Sequence, residues 1–201
     1  MERRNVAAGG LKIEERAGGG GKIISGYAAV FHDKADPGTE YQLRTGLSER
    51  ISPAAFTRAI TEQQDTVALY NHDVNLVLGR VSAGTLRLSA DTRGLKYEIS
   101  IPDTQLGRDL AVSIGRGDVA GSSFAFNPKS APIAMIGGTH VRTIEDCDLL
   151  DVGPVIFPAY RATSTSVRCL DSETAIAEID RQLAEAEAEA VAVRLRIISL
   201  G

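Results

Sequence analysis

The chain has 201 residues, 43% of them hydrophobic, with 26 acidic against 22 basic side chains and a net charge of -4. That length allows one domain with a sizeable core plus appendages, and an acidic chain without a Lys/Arg cluster argues against nucleic acid as a direct partner. No apolar run approaches the roughly 20 residues that cross a bilayer. The start Met1-Glu-Arg-Arg-Asn-Val-Ala-Ala-Gly9 lacks a signal-peptide hydrophobic region, so a cytosolic protein with no membrane partner is expected.

Residues 1–21 mix charges with Gly9-Gly10 and Gly18-Gly-Gly-Gly21 and read as a flexible segment that frays, with one strand at Leu11 to Glu15. From Lys22 to Phe31 the β-branched and aromatic residues predict a strand, with Gly26 as a bulge. His32 to Leu47, broken by Asp36-Pro37-Gly38, reads as a loop. Ser52 as N-cap and Pro53 at the first helical position then open a short helix carrying Phe56 and Ile60.

Val67 to Tyr70 is a short apolar strand that delivers His72 to its end. Leu86 and Leu88, the turn Asp91-Thr-Arg-Gly94, and Leu95, Tyr97, Ile99 and Ile101 at period two predict a β-hairpin with one buried face. Leu106, Leu110 and Ile114 place a helix over Thr104 to Gly115. A strand follows at Val119 to Phe126, then a loop from Lys129 to Thr139 with a Gly137-Gly138 turn, then one or two strands from Val141 to Val155.

The tail, 171–201, is different material. Ile176, Ile179, Leu183, Ala186, Ala190, Val193 and Ile197 recur three and four residues apart, a heptad-like seam suited to self-association, but Ala184 to Ala190 give it little to bury. The expected organisation is therefore a flexible 1–21, a domain over 22–170 and a helical tail over 171–201. Strands with two intervening helices suit a closed or partly closed β-barrel with helices around it, an α+β fold that is mainly β.

Three segments carry chemistry: Leu69-Tyr-Asn-His72-Asp73, Gly121-Ser-Ser-Phe-Ala-Phe126 and Leu149-Leu-Asp151-Val-Gly-Pro-Val155. They supply an imidazole, a hydroxyl in an apolar strand and a carboxylate, the parts of a serine-type acyl-transfer site, in which imidazole takes the hydroxyl proton and a third group orients the ring. Taken singly, each has an ordinary structural reading: a hydrogen-bonded strand-end histidine, a strand hydroxyl, and an aspartate before Gly and Pro in a turn. Ser122 and Ser123 point to opposite faces of a strand. Ser122 shares its face with Phe124 and Phe126, whereas Ser123 shares the small-residue face of Gly121 and Ala125, which leaves room for a peptide.

Glu145, Asp146 and Asp148 compete with Asp151 for the third position. Arg116 sits where it could steady an oxyanion, although a solvated surface arginine is the simpler reading. The histidines 32, 72 and 140 lack metal-site spacing, and Gly18 to Gly21 lacks the Lys-Ser/Thr of a phosphate loop, so no cofactor or metal is expected. Cys147 and Cys169 have no CxxC spacing and no nucleophile motif, so both are expected to be reduced and a cysteine hydrolase is a weak alternative.

These segments, together with Gly26-Tyr-Ala-Ala-Val-Phe31, Glu49-Arg-Ile-Ser-Pro-Ala-Ala-Phe56, Leu78-Gly-Arg80, Gly94-Leu95 and Pro158-Ala-Tyr160, occur in one order over Gly26 to Thr163. In that joint order the chain resembles the prohead (capsid maturation) proteases of HK97-type tailed phages. The family's Met-Ser-Phe-Gly-Phe segment corresponds to Ser122-Ser123-Phe124-Ala125-Phe126, so the resemblance implies His72, Ser123 and Asp151 as catalytic residues. The family commonly has Glu where Asp151 stands, and herpesvirus proteases use a second histidine there, which keeps His140 in reserve.

The resemblance further implies a herpesvirus-protease-like β-barrel ringed by helices, and a serine endopeptidase working inside the assembling procapsid in the host bacterial cytoplasm. Its implied partners are the major capsid protein with its scaffolding segment, and itself as substrate, with self-cleavage in the exposed link between Ala162 and Thr174. The contrasting expectation is an inactive scaffolding protein that assembles through the helical tail.

Overall fold

A computed structural model of the chain describes residues 1–6, 10–15, 21–157 and 173–198. The strands in chain order are β1 (Glu2–Val6), β2 (Lys12–Glu15), β3 (Lys22–Val30), β4 (Glu40–Arg44), β5 (Leu47–Ile51), β6 (Val67–Leu69), β7 (Val77–Arg80), β8 (Leu86–Ala90), β9 (Gly94–Ser100), β10 (Gly121–Ser130), β11 (Ile133–Ile136), β12 (Thr139–Ile144) and β13 (Asp146–Val155). The helices are α1 (Thr57–Thr61), α2 (Gln105–Arg116) and α3 (Glu173–Ile198).

The strands form three sheets with orders β1-β10-β13-β6-β7, β11-β12-β5-β4 and β2-β3-β9-β8. The protein is thus an α+β fold that is mainly β, and no closed barrel is found among the described residues. The core lies where the sheets meet. Leu95, Tyr97 and Ile99 of β9 alternate inward as their period-two spacing requires, and Phe31, Phe56, Phe124 and Phe126 form a chain of ring contacts with centroids 5.0 to 6.2 Å apart.

The hairpin β8-β9 and helix α2 lie where the periodicity places them. Thr104 caps α2 by accepting the Gly107 amide, and Gly117 closes it in a left-handed conformation. Other expectations need correction. The predicted loop from His32 to Leu47 contains β4, held antiparallel to β5. The predicted loop after Lys129 is mostly the hairpin β11-β12, turned by Gly137 and Gly138, both at positive φ as a two-residue hairpin turn requires. Ser52 accepts the Ala54 amide at 3.2 Å, yet Pro53 to Phe56 form turns and the helix starts only at Thr57. The irregularity in β3 falls between Tyr27 and Ala29 rather than at Gly26.

The largest correction concerns the segment expected to fray. Glu2–Val6 is β1, an edge strand of the first sheet paired antiparallel with β10, and the side chains of Glu2 and Arg4 are buried. Composition marks these residues as solvated; in the fold they pair with each other at 2.7 Å and with Glu49 and Arg142, which lie 45 and 140 positions away. At the other end, α3 meets the second sheet, with Ile179 buried and Asp180 paired to Arg44. Pro158-Ala-Tyr160, Cys169 and the link from Ala162 to Ser172 lie outside the described residues.

Candidate active site

The first sheet brings the three chemistry-bearing segments to one place. β10 and β13 run antiparallel with Ser123 opposite Gly153 and Ala125 opposite Asp151, so Ser123 and Asp151 are diagonal neighbours on one face. β6 lies parallel on the other side of β13, with Val67 opposite Asp151, and ends just before His72. Close approach here depends on Gly153, because a Cβ at that position would sit 1.9 Å from the Leu69 carbonyl oxygen.

The turn after β6 aims the imidazole. Asn71 and His72 both have positive φ, 54° and 58°. Asn tolerates this conformation, whereas a histidine held there stores strain of about 1 kcal/mol or more. The turn is strapped to the end of β13: the Asn71 amide donates to the Pro154 carbonyl at 3.1 Å, and the Asn71 side-chain oxygen accepts the Ile156 amide at 3.0 Å. Asp73 supports the far side by accepting the Asn75 amide at 2.8 Å. Nothing in the sequence marks Asn71 as a clamp, since its partners lie on a strand 83 and more positions away.

The result is a continuous hydrogen-bonded chain. His72 Nε2 lies 2.5 Å from Ser123 Oγ, and His72 Nδ1 lies 2.6 Å from Asp151 Oδ1. Nδ1 donates to the carboxylate, which leaves Nε2 free to accept a proton from the hydroxyl. Ser123 Oγ also lies 2.9 Å from the Arg4 carbonyl oxygen of β1, to which it can donate. Ser122 points to the opposite face, 2.8 Å from the Tyr97 hydroxyl, whose pKa burial pushes up. This pairing makes Ser122 part of the core.

The competing residues are engaged elsewhere. Asp146 and Asp148 bind Arg58, and Glu145 accepts the Ser130 hydroxyl at 2.9 Å. Hydrogen bonds from Arg58 and Lys129 hold the Asp148 carboxyl down at about 2. His140 sits in β12 with its Nε2 3.7 Å from Glu187, remote from Ser123 in the sheet order, and Arg116 is an exposed partner of Asp118. The Cys147 thiol is buried and pushed up to about 12 by that burial, which disfavours the thiolate a cysteine nucleophile needs. Among the described residues, no group of His, Cys, Asp or Glu is arranged to hold a metal ion, and no helix is long and apolar enough to cross a membrane.

Sequence reasoning missed the charged cluster beside this site. Arg4 lies between Glu49 and Glu2, at 2.5 Å and 2.7 Å, and Arg142 reaches both carboxylates at 2.7 to 2.9 Å. All four residues are at most 3% exposed. The Arg4 guanidinium also stands 5.4 Å over the Phe126 ring. Burial opposes ionisation of Glu2, but the hydrogen bond from Arg142 and the charge of Arg4 outweigh it and hold the carboxyl below its ordinary range.

Fold and site together define a class: a mainly β protein carrying the serine, histidine and carboxylate constellation of a serine-type hydrolase. Residues 10–178 match the family model of the caudovirus prohead serine proteases, and the chain belongs to that family. The match contains His72, Ser123 and Asp151 and begins after β1. No curated protein and no solved structure matches the chain.

Proposed function

We propose that the chain is a phage serine endopeptidase that acts inside the assembling procapsid in the host cytoplasm, cutting the scaffolding part from the major capsid protein and then cutting itself. The observation that supports this most is the chain of hydrogen bonds from Ser123 Oγ through His72 to Asp151, within a chain of the prohead protease family.

In this reading Ser123 Oγ attacks the scissile carbonyl carbon while its proton passes to His72 Nε2. Asp151 fixes the ring tautomer and stabilises the imidazolium, and backbone amides stabilise the oxyanion. Collapse of the tetrahedral intermediate breaks the C–N bond, and His72 hands the proton to the leaving amine. Water then repeats the cycle on the acyl-enzyme, releasing the acid and restoring the serine. No metal takes part. Kinship of the fold to the barrel of the herpesvirus assembly proteases, and self-cleavage between Ala162 and Thr174, belong to the same proposal.

The test is labelling by a fluorophosphonate probe with peptide mapping, beside cleavage of the co-expressed capsid protein. Label on Ser123, and loss of about 10⁴ or more in cleavage rate for both Ser123→Ala and His72→Ala, is expected. Asp151→Asn falls between these and the wild type. Cleavage that survives Ser123→Ala, or that EDTA abolishes, overturns the reading.

A further inference from the structure

The proposed nucleophile is shut away. Ser123 is 0% exposed, and the side chains of His72 and Asp151 are 9% and 10% exposed. A peptide is attacked only if its carbonyl carbon reaches Oγ, so an element must leave before catalysis. β1 is placed to be that element. It is an edge strand whose neighbour is β10, with Asn5 opposite Ser123 and Arg4 opposite Phe124. Its Arg4 carbonyl takes the second hydrogen-bonding position of the Ser123 hydroxyl. One hydroxyl proton cannot serve both that carbonyl and His72 Nε2, so the contact favours a resting serine.

The charges around β1 divide in an informative way. Glu2 and Arg4 belong to the strand and are paired with each other; Glu49 and Arg142 belong to the sheet behind it and are also paired, at 2.9 Å. Each half is neutral by itself. Unseating β1 therefore leaves no uncompensated buried charge, which is what makes ordinary buried ion pairs so costly to separate. When β1 is seated, the carboxylate of Glu2 meets Arg142 and the guanidinium of Arg4 meets Glu49. The slot thus reads an acidic side chain and, two residues later on the same strand face, a basic one. Addition of an extended peptide to a sheet edge is a general recognition mode, with the backbone giving affinity and alternate side chains giving specificity.

We propose that β1 is a stand-in for substrate, held in cis on the edge of β10. Catalysis requires it to leave, and the vacated edge takes an extended peptide with a carboxylate two residues before a basic residue, the basic residue presenting its carbonyl to Ser123. This rests on the reading of Ser123 as the nucleophile.

The experiment compares the full-length wild type with full-length Glu2→Ala and Arg4→Ala. Three readouts are taken: the rate of fluorophosphonate labelling at Ser123, binding of an end-blocked fluorescent peptide Met-Glu-Arg-Arg-Asn-Val, and hydrogen exchange of the β1 amides. Labelling scales with the fraction of molecules whose edge is open, so both variants are expected to label about tenfold faster than wild type. The peptide should bind the variants and return labelling towards the wild-type rate, while a peptide with its Glu and second Arg exchanged should do neither. In the wild type, the β1 amides should exchange at least about a hundredfold faster than those of β10 facing β13, because the strand opens by itself.

Folded variants that label no faster, or equal protection by the exchanged peptide, overturn the proposal. So does exchange of the β1 amides only with global unfolding, a result that needs no variant to fold. If Ser123 resists the probe in every chain while β1 opens and the peptide binds, the nucleophile reading fails and the occupancy of the edge by β1 stands.

Discussion

The two ends of the molecule invert what their compositions suggest. Residues 2–6 carry Glu, Arg, Arg and Asn in five positions, yet Glu2 and Arg4 are 2% and 3% exposed within a four-charge cluster. The tail has an apolar seam, yet among the described residues of α3 only Ile179 is buried, Leu183 and Ala186 are half-buried, and Val191 is 56% exposed. Its Arg181 pairs with Glu178 and Glu185 on the helix's own surface. Hydropathy gives the cost of burying a group. The partner that meets the group decides whether the cost is offset.

The largest effect is expected from Arg142→Met, which leaves the buried carboxylates of Glu2 and Glu49 with Arg4 as the one remaining cation of the cluster. Stability should fall by about 3 to 5 kcal/mol, read from urea unfolding. Arg181→Ala at the other end should leave the unfolding curve unchanged, because exposed helix pairs contribute little. Equal effects would mean that the cluster at β1 is solvated and the contrast is wrong.

Gly153→Ala puts the strain in the sheet that carries β1. A methyl group 1.9 Å from the Leu69 carbonyl oxygen must push β13 and β6 apart, costing about 3 kcal/mol. Cleavage should fall further than stability explains, since the same displacement separates His72 from Asp151. A variant with normal activity would show that β6 need not approach β13 closely.

Ending the chain at residue 170 tests the opposite end. Loss of the buried Ile179 contact should cost about 2 kcal/mol, with peptide cleavage retained and co-sedimentation with capsid-sized particles lost. An inactive truncation would make α3 part of the catalytic domain and would remove the boundary between 22–170 and 171–201.

The smallest effect expected is on pH dependence. The folded pKa of Glu2 lies below its ordinary 4.5, so its stabilisation is fully present above that value and is lost as pH falls through the lowered one. Unfolding midpoints measured from about pH 6 to about pH 3 should therefore decline less steeply in Glu2→Gln than in wild type. Parallel profiles would show that Glu2 is no better paired in the folded protein than in the unfolded chain.

Local pattern carried much of the fold and told the serine that faces His72 from the one that faces Tyr97. Alternation predicts β8-β9, four-residue spacing predicts α2, and the small-residue face shared by Gly121, Ser123 and Ala125 separates Ser123 from the core-facing Ser122. These are legible because the period of an element acts over adjacent residues. β4 and β11 were hidden because short edge strands rich in polar or turn-flanked residues resemble loops until a neighbouring strand pairs with them.

Legible along the chain were the periods of its elements, the resemblance that singled out His72, Ser123 and Asp151, and the contrast between a charged start and an alanine-rich tail. Tertiary structure alone decided that Asp151, rather than Glu145, Asp146, Asp148 or His140, meets His72. It also decided that Asn71 straps the histidine turn to β13, and that the charges of β1 are buried against Glu49 and Arg142 with the Arg4 carbonyl on the serine hydroxyl. The reason is distance along the chain: hydrogen bonds and ion pairs spanning 45 to 140 positions are set by which strands pair and in what register, and no local period encodes that.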